Sequence, residues 1–523
     1  MNVSVRQLSF VWLIAGVLLS CSKVQAQHNA TMYFMRDLPL VNTLNPAFQP
    51  SAGSVYVGLP FISSVYLDGG VTAQGATINN LFNPQANLRR IADGVGAYEG
   101  AFGSFELNLF NLGILVRDMY FTLDIVTKSH GLFSVPGEVI RMAWRGNAPY
   151  IGQAVSLDGL GGKAEAYTEI ALGFSKEVMR DKITVGGKVK GLLGHAYAEA
   201  YLGKKSFIYT DPDSWNITAG LAPDISIGGF STNIPNGDFS RDTIHFDSFK
   251  PIAGVGAGVD VGFEIKNDKV SISGSILNLG AINWKNASRA EAAGSMTFRG
   301  IQNNGNGFES GEDIIAQVKD SLFNIGTLRG SKGDMVRWID PTIMFGVSYQ
   351  LHEHFTGGAL AAMTISKYHS FPLFALSVNT QKFPINGSLS YSYSSSHNLG
   401  MGVLFGQREK QLHIICDNML AVAYRSTRHF NLRMGLNLLV GEPKNTSERK
   451  KDWGLLSPTK QEIKEEKRAA RKAAKENKDK KPLGPLNPIS EMFIQRNPSK
   501  ATLNTPAGEE EPRPTVKDKK PLN

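Results

Sequence analysis

The stretch Phe430–Val440, FNLRMGLNLLV, puts Phe430, Leu432, Met434, Leu436, Leu438 and Val440 on one side of an extended chain. Asn431, Arg433, Gly435 and Asn437 fall on the other. A repeat of two marks a β-strand with one apolar and one polar face. What each face meets decides the fold. Strands of soluble sandwiches average about five or six residues and share their apolar face as a core. This one alternates for about ten, the length that crosses a bilayer when tilted. Its polar face then suits a wet or plugged lumen.

The same pattern recurs outward from this stretch. Val255, Ala257, Val259, Val261, Phe263 and Ile265 oppose Asp260, Glu264 and a series of glycines. Ile183, Val185 and Val189 oppose Thr184, Lys188 and Lys190, and Leu389, Tyr391 and Tyr393 oppose Ser388, Ser390 and Ser392. About 13 to 16 segments qualify, and single-chain bacterial barrels use even strand numbers. The expected fold is all-β: a transmembrane antiparallel β-barrel of about 14 strands, within a range of 12 to 16. Lys188, Lys190, Asp260, Glu264 and Arg433 are the candidate lumen-facing residues. A secreted soluble sandwich is the competing fold.

Between strands, Asp211–Lys250 and Asn286–Trp338 read as long polar surface loops. Short helices are expected from Pro136 to Trp144, within Val71–Ala101, and over Asp313–Leu328 in the second loop.

Composition bounds the rest. The chain has 523 residues, 42% apolar and only 19% charged, with 54 glycines, which is low in charge and rich in glycine for a soluble enzyme. The net charge of +9 is unevenly placed: residues 441–523 hold 20 Lys/Arg against 13 Asp/Glu, and residues 1–26 add Arg6 and Lys23. Residues 27–440 are therefore formally neutral, and the body offers no electrostatic footprint for nucleic acid.

Residues 1–26 read as a secretory signal, with Arg6, an apolar run from Leu8 to Leu19, and Val24-Gln25-Ala26 as a small-residue cleavage site. Leu18-Leu19-Ser20-Cys21 offers lipoprotein processing as the rival. Cleavage after Ala26 leaves Cys416 as the one mature cysteine, so no intrachain disulfide is expected. Later in the chain no run of 18 or more apolar residues suggests a helical span. Residues 442–523 are charged and poor in apolar residues, hence expected to be a basic, largely disordered periplasmic tail. The domain plan is signal 1–26, hatch segment 27–52, barrel 53–441 and tail 442–523, with both mature termini periplasmic.

Catalytic and cofactor motifs are absent from the sequence. Gly159-Leu160-Gly161-Gly162-Lys163 lacks the spacing and Ser/Thr of a phosphate loop, and Gly254–Gly262 lies inside an alternating strand, where packing or curvature accounts for its glycines. His352-Glu353-His354 has no third metal ligand, and Asn303–Asp313 misses calcium-loop spacing. No enzymatic activity, cofactor or metal is expected.

The N-terminal stretch Tyr33–Pro60, YFMRDLPLVNTLNPAFQPSAGSVYVGLP, carries Pro39, Pro46 and Pro50, which remove backbone donors and keep it out of a sheet until Ser51. Lys188, Asp260 and Arg433 are candidates to hold it inside a barrel. With Asn45, Pro46 and Ala47 just before a strand at Val55, it resembles the FadL-type channel superfamily. That resemblance implies a 14-stranded barrel with the N-terminal region folded into the lumen as a hatch. The superfamily includes PorV-like barrels associated with type IX secretion, and PorP-like proteins have a similar Asn-Pro-Ala start. Leu44–Pro60, FSVPGEVIRMAWRGN at Phe133–Asn147, Glu169–Gly194, and Ile276–Gly280 followed by Trp284 are similar to an uncharacterised family of Bacteroidetes outer-membrane barrels, a domain of unknown function.

Two functions follow as expectations. One is an outer-membrane channel or binding barrel for hydrophobic or amphipathic small molecules, its partner otherwise only the lipid bilayer. The other is a non-transporting accessory barrel of an envelope or type IX secretion-type machine, touching a periplasmic envelope protein through the basic tail.

Overall fold

A computed structural model describes residues 29–440, except 51–53, 74–75, 78–87, 180–181, 234–236, 239–244, 299–326, 353, 368–369, 381–384, 394–396, 407–409 and 420–427. The expected signal, the tail from 442 onward and most of the Asp313–Leu328 helix lie outside the described residues.

Fourteen antiparallel wall strands close into a ring. β1 is in two pieces, Val55–Gly58 and Val65–Val71. β2 (Tyr98–Val116), β3 (Met119–Pro136), β4 (Gly161–Met179) and β5 (Ile183–Leu202) follow. β6 is again in two pieces, Pro223–Gly228 and Gly254–Lys266, and β7 is Val270–Glu291. β8 comprises Thr327–Trp338 and Thr342–His352. The wall finishes with β9 (Phe355–Ile365), β10 (Ser370–Thr380), β11 (Ile385–Tyr393), β12 (His397–Phe405), β13 (Lys410–Cys416) and β14 (His429–Val440). Val55 pairs with Val440 on one side and Ile114 on the other, so β1 joins β14 to β2 and leaves no free edge.

Polarity is inverted relative to a soluble core. On β4 and β5, Leu172 and Val189 point outward at 64% and 66% exposed, while Lys188 and Lys190 are each 4% exposed on the inner face. On β11, Leu389, Tyr391 and Tyr393 are exposed while Ser388, Ser390 and Ser392 are buried. An exposed apolar belt around a buried polar interior is the pattern of a barrel whose outer face meets hydrocarbon.

Connections differ at the two ends. The β2–β3 turn is Arg117–Asp118, and β6–β7 needs only 267–269. Val55 and Val440 lie at this short-turn end. The other end carries longer segments. These include helix α2 (Leu88–Gly94), helix α3 (Gly137–Arg145), and a small sheet of Ala154–Ser156, Phe207–Thr210, Ile217–Leu221 and Gly294–Phe298. α3 starts one residue later than the sequence suggests, because Pro136 still pairs with Tyr98 at the end of β3.

Two expected loops are partly wall. Asp211–Lys250 contains the upper piece of β6. Asn286–Trp338 contains the end of β7 and the upper half of β8, where Arg329 pairs with Glu291. In the second, only Val336 and Trp338 of the outward series are apolar, and Lys332 and Asp334, with Lys285 on β7, break the stripe that would have marked it. Both broken strands flank an inner cluster around Trp284, whose ring fills the space that side chains at Gly194, Gly228 and Gly254 would need.

Candidate functional site

The inner space of the barrel holds residues 29–50. This segment forms one helical turn, α1 (Ala30–Tyr33), then a 3-10 turn at Pro39–Thr43. Met32, Phe34, Met35, Leu38, Leu40 and Leu44 pack against Leu277, Met344, Leu360, Leu373, Leu404 and Ile415 of the wall. Burying this much apolar surface is the main force holding the segment inside.

Asn45-Pro46-Ala47 sits in a notch. Asn45 Nδ2 donates to the Phe263 and Gly274 carbonyls at 3.2 and 3.1 Å, and its Oδ1 accepts from the Ala47 amide at 2.9 Å. Gly186 and Gly262 are paired across β5 and β6, and any side chain on either would collide with Pro46 O or Asn45 Oδ1. Glycine is there for close approach. Asn42 Nδ2 donates to the Pro46 and Phe48 carbonyls at 3.0 and 2.8 Å, closing the loop from within.

Further bonds tie the segment around the ring. Ser275 Oγ donates to Leu44 O at 2.7 Å, Tyr33 and Ser273 share a hydrogen bond of 3.0 Å, and the Thr31 amide donates to Asp417 Oδ1 at 2.8 Å. Arg36 pairs with Glu264 while its guanidinium lies 3.3 Å from the Phe48 ring centroid. Arg433 Nε donates to Asn29 Oδ1 at 3.2 Å.

Above the segment is a chamber whose floor is Asn29, Leu40, Thr43 and Leu44. Its two contiguous parts share Glu106, Lys128, Asn278, Thr342 and Thr364, and the upper part has about 720 Å³ of unfilled space, some of it open to solvent. One side of this chamber is a belt of alternating charge. Arg433 donates to Glu106 (2.7 Å), and Glu106 is the register partner of Lys128. Lys128 pairs with Glu169 (2.9 Å), Lys190 stands 3.4 Å from Glu169, and Lys190 pairs with Asp260 (2.7 Å). Opposite charges on neighbouring strands satisfy one another, which is the condition for burying them.

The five charged residues singled out from sequence thus divide. Glu264 and Arg433 reach the N-terminal segment. Lys188 and Asp260, expected to hold it as well, bond along the wall: Lys188 donates to Asp124 at 2.6 Å, and Asp260 accepts from the Asn278 amide at 2.7 Å besides pairing with Lys190. Lys128 and Glu169 were not singled out, although Lys128 continues the inward series Thr122, Asp124, Val126. The rings of His352 and His354 lie at the short-turn end with centroids 5.4 Å apart and tilted by 47°, and no cluster suited to a metal occurs among the described residues.

Residues 46–417 match the model of a family of unknown function, DUF5723. The chain belongs to this family. The matched span runs from the Asn-Pro-Ala notch to the end of β13. Among solved structures, the family member resembles a variant of the TodX monoaromatic hydrocarbon channel, at 11% identity over 80% of this chain and 95% of that one, with a TM-score of 0.38. It also resembles the toluene transporter TbuX of Ralstonia pickettii, at 10% identity over 76% and 92%, TM-score 0.37. A third is the translocator domain of the autotransporter NalP from Neisseria meningitidis, at 9% identity over 79% and 97%, TM-score 0.30. No curated protein sequence matches this DUF5723 member.

Proposed function

We propose that this DUF5723 member is an outer-membrane barrel that takes hydrophobic or amphipathic small molecules into its lumen, with residues 29–50 as a hatch beneath them. The observation that carries this reading is the chamber itself. It is lined by the ionic belt and by the apolar side chains of Leu277 and Met344, with the chain's own segment as its floor. Such a cavity offers an amphiphile both a polar and an apolar surface. Asn45, Pro46 and Ala47 act as the seat of the hatch, and Lys188, Lys190, Asp260, Glu264 and Arg433 as the lumenal charges that shape the path. In this reading the short-turn end, where Val55 and Val440 lie, faces the periplasm, as it does in bacterial barrels.

Fractionation tests the location first: the protein stays with the membrane through a carbonate wash and shows a heat-dependent shift on gel electrophoresis. Lipid analysis of the detergent-purified protein, against mass-matched control barrels, then tests the activity. An enriched ligand together with an uptake defect on deletion supports the reading, and absence of both removes it.

The accessory-barrel reading draws its support from the 20 Lys/Arg of residues 441–523. Cross-linking pull-downs with and without residues 442–523 test it, and a partner captured equally by both forms rules the tail out.

A further inference from the structure

The two ends of the lumenal segment open to different sides of it. Gln49 Nε2 donates to Asp118 O at 3.1 Å, in the β2–β3 turn, so the segment leaves for β1 at the short-turn end. Traced back from Arg36, which meets Glu264, the chain passes through α1 to the other side. There the Thr31 amide meets Asp417, just past the upper end of β13, and Asn29 lines the chamber with Glu106 and Lys128. Asn29 Oδ1 accepts from Arg433 Nε at 3.2 Å, and the same guanidinium holds Glu106 at 2.7 Å. The described chain thus starts inside the ring, on the chamber side of its own segment.

This placement bears on the two processing sites in the leader. Cleavage after Ala26 leaves only Gln27 and His28 ahead of Asn29, at most about 7 Å of chain. The chamber has room for two residues, with about 720 Å³ unfilled in its upper part. Acylation of Cys21 would instead leave eight residues ahead of Asn29, with hydrocarbon chains on the first. Such chains anchor a protein only when buried in a leaflet. No gap leads there through the wall, because β1 is bonded to both β14 and β2. The way down is filled by Met32, Phe34, Leu38 and Leu40, packed against Leu277, Leu360 and Leu373. Acyl chains on Cys21 would therefore be shut in with Glu106 and Lys128, or sent out at the end opposite the short turns.

We propose that the mature chain starts at Gln27 within the lumen, without lipid, and that its first two residues stand in the chamber. The proposal rests on the reading of the ring as an outer-membrane barrel, and on no particular ligand. The start then lies across the segment from the short-turn end, in place of the periplasmic position expected from sequence. Removal of the leader becomes a condition for closing the ring around the segment, since an uncut leader would bring the apolar run Leu8–Leu19 into the same space.

The test uses the full-length protein purified from outer membranes. Its intact mass is expected to fit a start at Gln27, as the free amine or as the lactam that an N-terminal glutamine forms by losing ammonia. A start at an acylated Cys21 overturns the proposal and, where the heat-dependent gel shift is present, leaves the barrel reading standing. Absence of that shift overturns the barrel reading and the proposal with it. Cys21→Ser is expected to leave the amount of mature protein within about twofold, and a larger fall with precursor accumulating overturns the proposal. For the location, His28→Cys is combined with Thr364→Cys of the chamber wall or with Asp268→Cys of the β6–β7 turn. Cys416→Ser removes the native thiol, and the gel shift reports the folded barrel in each variant. A short bis-maleimide is expected to join position 28 to position 364 at least fivefold more than to position 268. No joining to 364, or equal joining to 268, overturns the lumenal start.

Discussion

The two halves of the wall solve the problem of a buried inner face differently. β2 to β7 turn Glu106, Asp124, Lys128, Glu169, Lys188, Lys190, Asp260 and Glu264 inward. Among the described residues from Phe355 to Cys416, β9 to β13, the buried polar ones are Thr, Ser, Asn, Gln and one His, without a carboxylate or an ammonium. The difference follows what each half faces. The neutral half meets the apolar side of residues 29–50, and small neutral groups there can be buried with single hydrogen bonds. In the ionic half Glu106, Lys128, Glu169 and Lys190 line the chamber and Glu264 meets Arg36 of the segment, and charges persist because a neighbouring strand or the segment supplies the opposite sign. The wall's composition is thus written by its contents.

Breaking the ionic half has the largest expected effect. Lys188 and Asp124 are both buried, and Asp124 Oδ1 also accepts from Asn111 Nδ2 at 2.7 Å. Lys188→Met leaves that carboxylate buried without its cation, at an expected cost of about 3–5 kcal/mol. The urea midpoint of the folded band in vesicles measures it. Adding Asp124→Leu is expected to restore most of the loss, because removing both charges of a buried pair is often close to neutral. A double variant as unstable as the single one would mean that the pair itself, rather than the orphaned charge, holds the wall.

The Asn45-Pro46-Ala47 notch comes next and compares the halves directly. A side chain at Gly262 meets the fixed Asn45 amide, whereas one at Gly402, on the neutral half, meets Met35 Sδ at 2.5 Å. A thioether on a flexible stem can move aside and an amide held by three hydrogen bonds cannot. Gly262→Ala is expected to cost about 1–3 kcal/mol by overpacking and to make residues 45–48 accessible to protease or to a cysteine probe. Gly402→Ala is expected to leave that accessibility unchanged. Arg36→Met follows. It removes the segment's ion pair with Glu264, which keeps Lys266 and Ser271 as partners, at about 1.5–3 kcal/mol, the range for a hydrogen bond to a charged group. Increased solute leak through reconstituted protein reads it out.

Alternation alone made the fold legible, because a period of two survives whatever the inner face carries. Counting such segments bounded the strand number at 13 to 16, and the even-number rule for bacterial barrels narrowed it to 14. The belt was not legible, because Lys128 and Glu169 lie 41 positions apart in sequence and meet only through the β3–β4 register. For the same reason nothing in the sequence told that Lys188 and Asp260 bond along the wall while Glu264 and Arg433 reach inward. Gly262 read as packing or curvature of a strand, whereas its role is clearance for Asn45, a partner 217 positions away. The upper half of β8 was lost because its outward series keeps only Val336 and Trp338 as apolar residues before turning to Asp334 and Lys332.

The smallest expected effect isolates burial from geometry. Arg145 of α3 and Asp93 of α2 form an ion pair of 2.9 Å, close to the 2.6 Å of Lys188 and Asp124. Both members are about half exposed, at 48% and 52%, where Lys188 and Asp124 are at 3% and 9%. Water solvates either partner when the other is removed, and salt screens the pair when both are present. Arg145→Ala is therefore expected to shift stability by less than about 0.5 kcal/mol, measured in the same urea titration as Lys188→Met. If the two variants lost equal stability, contact distance rather than desolvation would set the energetics of this wall. The contrast between its ionic and neutral halves would then need another cause.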